Sequence, residues 1–417
     1  MAELLWGKVF YKDQYAGILK QEPGDCFVFE YDDFYLTQSL PSIAFSLPRE
    51  VKTHRSHSGL PVFFDNLVAE GWLAQAQTRL LGQREASRFE LLLAFGYDCA
   101  GAVSVLDPEP NAITDLLLDP DDPREMAALT SRASLSGVQP KLAVIERNGK
   151  YYPVKPKELS THIAKFPSAS HSDLVWNEYL TTMMLKKLLP DDQIVQMSLS
   201  IVQGQSEPAL IIKRFDRSDG KRIHFEEFNQ LLSLKSSEKY EGFYKDMSDF
   251  IRQNPVCFPV ENYRLFKRIL AGILLGNTDM HFKNFALFHQ PEGSQDSLSL
   301  TPCYDMVSAG LYQYKTLALG IGGAKNLKIG ELKPKNILKL IEEFNISKPL
   351  LQLVLNEFEQ NKAAALQAVV DAISDLNLNS KADLKGLETL KELLITQVEK
   401  RWKSLFVSLG QTLSKKQ

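Results

Sequence analysis

The chain has 417 residues, of which 44% are hydrophobic and 24% charged, a balance typical of a folded globular protein with two or three domains. Its net charge of -3 gives no overall reason to expect direct binding to a nucleic-acid backbone. The four cysteines form no CxxC pair, which argues against a zinc site and fits reduced thiols. Charge follows the N-terminus closely and no apolar run reaches roughly 18 residues, so we expect a cytoplasmic protein without a membrane segment.

Residues 1–104 are predicted to form a small β-rich N-terminal subdomain. Aromatic and β-branched runs with polar breaks, at 8–21 and 26–36, are typical of short strands. Residues 61–82 are predicted to form one helix that ends at Gly82. The segment 107–123 is rich in Pro and Asp and is predicted to be a linker.

A second β-rich region, 108–217, is predicted to contain a hairpin around Asn148-Gly149, since this dipeptide is the strongest short hairpin signal. Further strands are expected at 161–167, 198–204 and 208–217, with a helix at 172–190. From 218 to 417 helices are expected to dominate. They are predicted at 225–234, 263–275, 334–344, 349–373 and 384–409.

A polar cluster interrupts this helical region between a predicted helix and a predicted strand. Within six residues the chain places Asp279, His281, Lys283 and Asn284, and another acid, Asp305, follows a short β-like run at a predicted helix start. In phosphoryl transfer one carboxylate orients the attacking hydroxyl, while an Asn and a second carboxylate hold Mg²⁺. The D-x-x-x-x-N spacing occurs often by chance, so its weight depends on the residues upstream.

Two charged residues upstream suit a nucleotide site. Lys165 lies inside a predicted strand, and Glu178 follows on a helix. On a helical wheel Glu178 falls between leucines, where a carboxylate requires a cation. A Lys165–Glu178 pair would resemble the strand-lysine and helix-glutamate pair that positions phosphates in kinases, although a strand lysine often simply faces solvent.

Two further segments could contact a nucleotide. The loop 134–142 carries Gly137 among hydroxyls and a lysine, and its backbone amides could face phosphate, although it is not a Walker A motif. Residues 213–215 end the last predicted strand of the lobe, where an interlobe hinge would present backbone groups to adenine and Phe215 to its ring.

In this order, the stretches SLSGVQPKL, HIAKFP, WNEYL, IIKRFDR, NTDMHFKNFALF and LTPCYDMVSA resemble HipA-like serine/threonine kinases, the toxins of bacterial HipBA modules. The resemblance spans the whole chain. It implies an α+β, two-lobed, phosphatidylinositol-kinase-like fold with the small β-rich subdomain in front. The kinase N-lobe would occupy 108–217 and the helical C-lobe 218–417. The absence of G-x-G-x-x-G, HRD and APE motifs agrees with this.

The resemblance also implies roles for individual residues. Asp279 matches the catalytic aspartate, Asn284 and Asp305 match the Mg²⁺ ligands, and Ser134, with Ser136 as a second option, matches the autophosphorylated loop serine. Some members of the family have an acidic residue at the position of Lys213. This difference leaves the role of the Lys213 side chain open, whereas a contact through its backbone is unaffected. The ATP contacts implied are Ser136, Gly137, Val138, Gln139, Pro140, Lys141, Lys165, Lys213, Arg214, Phe215, His281, Phe282, Lys283, Asn284, Tyr304 and Asp305.

The function implied is that of an ATP- and Mg²⁺-dependent serine/threonine protein kinase that acts as a toxin. Such kinases phosphorylate aminoacyl-tRNA synthetases and are held by a small helix-turn-helix antitoxin, HipB-like, through which contact with DNA is indirect. Two alternatives stay open: a catalytically weak corepressor bound to such an antitoxin, and a small-molecule or lipid kinase, because fold does not settle the substrate.

Overall fold

The computed structural model describes residues 4–108, 139–155, 158–167, 171–290, 297–377 and 384–414. The serine-loop residues Ser134, Ser136, Gly137 and Val138, together with most of the predicted linker, lie outside them. Within the described ranges, no helix is both long enough and apolar enough to cross a lipid bilayer.

The strands concentrate in the first half of the chain. They are β1 (Trp6–Tyr11), β2 (Gln14–Glu22), β3 (Cys26–Tyr31), β4 (Thr53–Ser56), β5 (Val103–Leu106), β6 (Lys141–Arg147), β7 (Lys150–Pro153), β8 (His162–Lys165), β9 (Met197–Ile201), β10 (Pro208–Lys213), β11 (Arg217–Ser218), β12 (Lys221–Arg222), β13 (Phe225–Glu227), β14 (Ala286–Gln290) and β15 (Ser297–Leu300).

Long helices concentrate in the second half. The helices are α1 (Asp33–Thr37), α2 (Val62–Asp65), α3 (Gly71–Leu80), α4 (Arg88–Phe95), α5 (Leu174–Leu188), α6 (Phe228–Leu231), α7 (Tyr244–Gln253), α8 (Pro259–Leu275), α9 (Pro334–Glu343), α10 (Lys348–Asn377), α11 (Leu384–Arg401) and α12 (Ser408–Ser414). A single π-helical turn, Trp402–Val407, continues α11 into α12.

The chain divides into two compact units. The first contains 1–168, 196–237 and 288–296, and the second contains 169–195, 238–287 and 297–417. The N-terminal residues therefore share a unit with the strands that were predicted to form the kinase N-lobe, while α5 belongs to the second unit. The domain boundaries at 104–108 and 217 stay predictions.

Two five-stranded antiparallel sheets form the first unit, in the orders β4-β3-β2-β1-β5 and β7-β6-β8-β10-β9. The predicted hairpin is confirmed: Asn148 and Gly149 connect β6 to β7 with φ of 51° and 74°, the left-handed conformations that a type I′ turn requires. Ala69 and Leu73 of the N-terminal region pack against Ala143 and Val154 of the second sheet, so the two sheets share buried apolar surface.

Two predicted helices are wrong in extent. Residues 61–82 form α2 and α3 rather than one helix. The side-chain amide of Asn66 donates to the carbonyls of Val62 and Leu234, and the chain turns before α3 begins at Gly71, whose φ is 58°. Residues 225–234 form the strand β13 and only one helical turn, α6. In both segments, contacts with distant residues replace the helical hydrogen bonds that the local pattern favours.

A buried ionic network joins the N-terminal region to the end of β10; we call Asp98, Arg214, Asp216, Arg217 and Arg222 the Asp98 network. Arg214 lies 3.2 Å from Asp98 and 2.6 Å from Asp216, and Arg217 lies 2.7 Å from each carboxylate. All five side chains are at least nine-tenths buried. The guanidinium of Arg214 is therefore engaged within the first unit.

Candidate active site

The polar cluster of the second unit begins where α8 ends. Gly276 closes α8 in the left-handed conformation, φ 90°, and a Cβ there would lie 2.7 Å from the Ser308 hydroxyl. Asn277 follows and is almost fully buried. Its side-chain oxygen accepts from the Asp279 N–H at 2.9 Å, and its amide donates to the Asp305 carbonyl at 3.3 Å. Asn277 thus fixes the two acidic segments to each other.

The carboxylate of Asp279 is exposed, as a base that must reach a second substrate requires. The Tyr240 hydroxyl donates to Asp279 Oδ1 at 3.0 Å. The side-chain nitrogen of Asn284 donates to the Asp279 carbonyl at 2.8 Å. Since this nitrogen faces the backbone, the amide oxygen of Asn284 is the atom that could coordinate a metal ion.

Asp305 is half-buried and has a backbone φ of 51°, which is unusual for a residue other than glycine. The helix start predicted at this point is wrong, because after β15 the next helical turn is the short 3₁₀ segment Ala309–Leu311. The Tyr304 hydroxyl donates to the Lys283 carbonyl at 2.9 Å, a second link between the two polar segments. The oxygen donors of Asn284 and Asp305 form a set that suits Mg²⁺.

The residues between Asp279 and Asn284 give the loop its shape. His281 Nδ1 accepts from the Lys283 N–H at 3.2 Å, and the His281 ring packs edge-on against Tyr240 with centroids 5.0 Å apart. Phe282 is fully buried, and its ring occupies the space into which a side chain at Gly242 would project. Phe282 therefore anchors the loop in the core, and Lys283 is itself buried.

Helix α5 carries Glu178, which is fully buried, as the wheel argument predicts. The neighbouring Asn177 accepts from the Ser308 N–H at 2.8 Å and donates to the Tyr312 hydroxyl at 3.2 Å. The segment after Asp305 is thus bonded to the helix that carries Glu178. Lys165 belongs to the first unit, and its pairing with Glu178 stays a prediction.

In the first unit, two lysines that the sequence assigns to ATP are neighbours. Lys141 on β6 is directly opposite Lys165 on β8, so both side chains leave the same face of the sheet. They are 8% and 6% exposed. The Gln139 side chain donates to the Phe166 carbonyl at 3.0 Å, and the Pro140 carbonyl accepts from the Phe166 N–H at 2.9 Å. These two bonds hold Gln139 and Pro140 next to the end of the strand that carries Lys165.

Two backbone N–H groups of the predicted hinge are already hydrogen-bonded within the first unit. The Lys213 N–H donates to the Gln196 carbonyl at 2.9 Å, and the Arg214 N–H donates to the Thr161 carbonyl at 3.0 Å. The Lys213 side chain is exposed, whereas Phe215 is half-buried and packs edge-on against Phe225 and Phe288. The sequence assigned the hinge by its position and did not anticipate that Arg214 belongs to the Asp98 network.

Replacing Lys165 by Met is expected to weaken ATP binding by about 10- to 100-fold. A charge-assisted contact is worth roughly 1.5–3 kcal/mol, and a Met of similar length keeps the packing of this buried position. Calorimetric titration with Mg-ATP measures the change. Lys150→Met, at an exposed position of β7 in the same sheet, is the matched control. Equal affinity in both variants would remove Lys165 from the site.

Two residues of this site were not anticipated from the sequence, Asn277 and Tyr240. Asn277 directly follows the glycine that ends α8, and a buried polar residue at such a point is a signal that could have been used. Tyr240 lies in a segment with no motif of its own and gives no such signal.

Comparison with known proteins places this geometry in a family. Residues 133–374 match the family model of the HipA-like C-terminal domain, and residues 7–106 match that of the HipA N-terminal domain. The chain belongs to the HipA family. It is 32% identical over 292 residues to the serine/threonine-protein kinase toxin HipA of Shewanella oneidensis, covering 61% of this chain and 64% of that protein.

A second relative is Y4mE of Sinorhizobium fredii, whose name describes a candidate kinase. It is 25% identical over 402 residues, covering 89% of this chain and 93% of that protein. Among solved structures, HipA in the Shewanella oneidensis complex of HipA, HipB and operator DNA superposes with a TM-score of 0.74 at 22% identity, covering 97% of this chain and 99% of that one. The predicted two-lobed, kinase-like α+β fold is confirmed.

Proposed function

We propose that this HipA-family protein is a Mg-ATP-dependent protein serine/threonine kinase and the toxin of a type II toxin–antitoxin module. The observation that carries the proposal is the arrangement around Asn277, whose side chain holds the Asp279 amide and the Asp305 carbonyl at once. An exposed carboxylate, an oriented amide oxygen and a second carboxylate are the groups that phosphoryl transfer requires.

In this mechanism Asp279 accepts the proton of the attacking serine hydroxyl. Its exposure gives a protein substrate access, and Tyr240 keeps one carboxylate oxygen oriented. Asn284 and Asp305 would hold Mg²⁺. The ion held by these residues would supply positive charge to offset the negative charge of the ATP phosphates.

The phosphates of ATP would be held from the first unit. Lys141 and Lys165 stand opposite each other on one sheet face, where both ammonium groups would reach the same phosphate. The backbone amides of the loop 134–142, which carries Ser134 and Ser136, would complete the phosphate contacts.

The proposed macromolecular partners are suggested by one relative and by the family resemblance. HipA of Shewanella oneidensis is found in a complex with HipB and operator DNA. For this chain we propose a HipB-like helix-turn-helix antitoxin as partner and an aminoacyl-tRNA synthetase as substrate, in the bacterial cytoplasm. The net charge of -3 fits indirect contact with DNA through the antitoxin.

Incubation of the protein with γ-labelled ATP, Mg²⁺ and bacterial extract tests the proposal, with wild type beside Asp279→Asn. Label in one protein band, only with wild type, is the expected result, and mass spectrometry of that band identifies the substrate. Label in lipid or in small molecules would favour the small-molecule or lipid kinase. No transfer at all, together with tight binding to the antitoxin, would favour the corepressor.

Autophosphorylation of Ser134, with Ser136 as the second candidate, is expected to switch the kinase off. A phosphoserine adds about -1.5 to -2 charges, and beside the γ-phosphate site it would repel ATP and leave the nucleotide pocket unformed. Mass spectrometry of protein incubated with Mg-ATP should find the phosphate in wild type and not in Asp279→Asn. A Ser134→Asp variant that binds ATP as tightly as wild type would contradict the switch.

A further inference from the structure

Three titratable side chains of the first unit, none of them used in the proposed mechanism, lie together. His224 directly precedes β13, Glu226 lies within β13, and His289 lies on β14; we call these residues the His–Glu cluster. One ligand atom from each of the three lies within 4.8 Å of the other two. The backbone N–H of His289 donates to the backbone carbonyl of His224 at 3.0 Å, and this bond holds the two histidines together.

The cluster contains polar atoms that the fold leaves unsatisfied. Among the residues that the structure describes, His224 Nε2 and Glu226 Oε2 are buried without a hydrogen-bond partner, while His289 Nε2 lies 2.7 Å from Glu226 Oε1. His224 is 2% exposed and Glu226 is fully buried, while the His289 side chain is 13% exposed. Native proteins rarely leave such atoms unsatisfied, so two of them beside a second histidine point to a ligand at this position.

We propose that the His–Glu cluster binds one divalent transition-metal ion, and that this ion is Zn²⁺. Imidazole nitrogen and carboxylate oxygen are both ligands of Zn²⁺, and three such ligands leave a fourth position for water. Ligands held at about 2.0–2.2 Å around tetrahedral Zn²⁺ lie about 3.4 Å apart. The ligand atoms, now within 4.8 Å of one another, would approach one another when the ion binds.

The surroundings of the cluster already orient the carboxylate. Glu226 Oε1 accepts from the Phe45 N–H at 2.7 Å, which leaves Oε2 for the metal. The Ala102 N–H donates to His224 Nδ1 at 3.4 Å. An ion bound to His224 Nε2 would replace this long contact, because the ring proton then lies on Nδ1.

An ion pair without metal explains less of the cluster. His289 Nε2 and Glu226 Oε1 lie 2.7 Å apart, so a protonated His289 could neutralise Glu226. That pair would leave His224 Nε2 and Glu226 Oε2 unsatisfied in the interior. A metal ion would satisfy both atoms and would link β13 and β14 to the N-terminal region, whose Phe45 and Ala102 amides contact the same side chains.

Zinc binding to the full chain tests the proposal. Protein stripped with EDTA is titrated with Zn²⁺ against a chromogenic chelator, with excess Mg²⁺ present to fill sites made of oxygen ligands. We expect one Zn²⁺ per chain and a rise in melting temperature when it binds. Co²⁺ in its place should give tetrahedral d–d absorption bands without the thiolate charge-transfer band that a cysteine ligand would add.

His289→Gln is the informative variant, because this side chain is the least buried of the three. It should weaken zinc binding by more than the roughly 10- to 100-fold that loss of an outer-shell partner costs, with an unchanged far-UV circular dichroism spectrum. His57→Gln is the control, since His57 lies 3.5 Å from the Cys26 sulfur and offers a surface site for an adventitious ion.

Zinc binding by wild type, His289→Gln and His57→Gln decides between a metal site and its absence. If wild type binds no zinc, or if binding survives His289→Gln and is lost in His57→Gln, the His–Glu cluster is not a metal site. A thiolate band in the Co²⁺ spectrum would lead to the same conclusion.

Discussion

Replacing Asp279 by Asn is expected to lower the rate of phosphoryl transfer from Mg-ATP by at least about 10²-fold and to leave the protein folded. The substitution removes the carboxylate that accepts the proton, while the amide keeps its size. The loop does not depend on that carboxylate, because its backbone is held by the Asn277 and Asn284 side chains. Steady-state transfer to a substrate protein measures the rate.

Tyr240→Phe is the matched control for this prediction. It removes the hydroxyl that donates to Asp279 Oδ1 and keeps the ring that packs against His281. One exposed hydrogen bond contributes about 0.5–1.5 kcal/mol, so the rate should fall by no more than about tenfold. Near-normal turnover of Asp279→Asn, with ATP binding and melting temperature unchanged, would show that another residue is the base.

Local patterns gave the parts of this fold that depend on neighbouring residues. The Asn148-Gly149 turn, the strand that carries Lys165 and the helix that ends at Gly276 all lie where the sequence predicts them. A two-residue turn and an apolar periodicity are set by sterics within a few residues, so no distant contact is needed to predict them.

Distant contacts decided the parts that the patterns missed. The segment 61–82 has the composition of a helix, but Asp65 and Asn66 bond instead to Ser236 and Leu234, more than 160 residues later. In 225–234, Glu226 is drawn to Phe45 and His289, and the chain forms a strand before the single turn of α6. Such partners cannot be identified from a local window.

The candidate site divides in the same way. The spacing of Asp279 and Asn284 and the later Asp305 pointed to the chemistry, because those residue types suit phosphoryl transfer. The role of Asn277 could not be predicted from the spacing of the acidic residues. Its side chain bonds to the backbone of Asp279 and of Asp305, 2 and 28 residues away. Sequence identifies groups that can react, and the packing around them sets their positions.

The largest effect on stability is expected from Asp98→Asn, at the centre of the Asp98 network. Asp98 is 2% exposed and accepts from Arg214, from Arg217 and from both the amide and the hydroxyl of Ser160. The substitution leaves the buried Arg214 and Arg217 with Asp216 as their remaining carboxylate partner and removes the carboxylate that lies 3.7 Å from Arg222. Uncompensated buried charge of this kind costs about 3–5 kcal/mol. Urea unfolding at neutral pH should show a loss of that size.

The pH dependence provides a second test of the same network. Burial would raise the pKa of Asp98, but Arg214 and then Arg217 outweigh it and hold the pKa below its usual value. A carboxylate with a depressed folded-state pKa contributes stability that is complete above its unfolded pKa and is lost as the pH falls through the folded value. Acidification from pH 7 to about pH 3 should therefore destabilise wild type more than Asp98→Asn.

Asp33→Asn is the control for both measurements, because Asp33 pairs with Lys52 at 2.6 Å on the surface with 83% of its side chain exposed. Exposed pairs of this kind contribute little, so its unfolding curve should follow that of wild type. If Asp98→Asn also follows wild type, the arginines must redistribute toward Asp216 and solvent at no cost. The network would then not be what joins the N-terminal region to the end of β10.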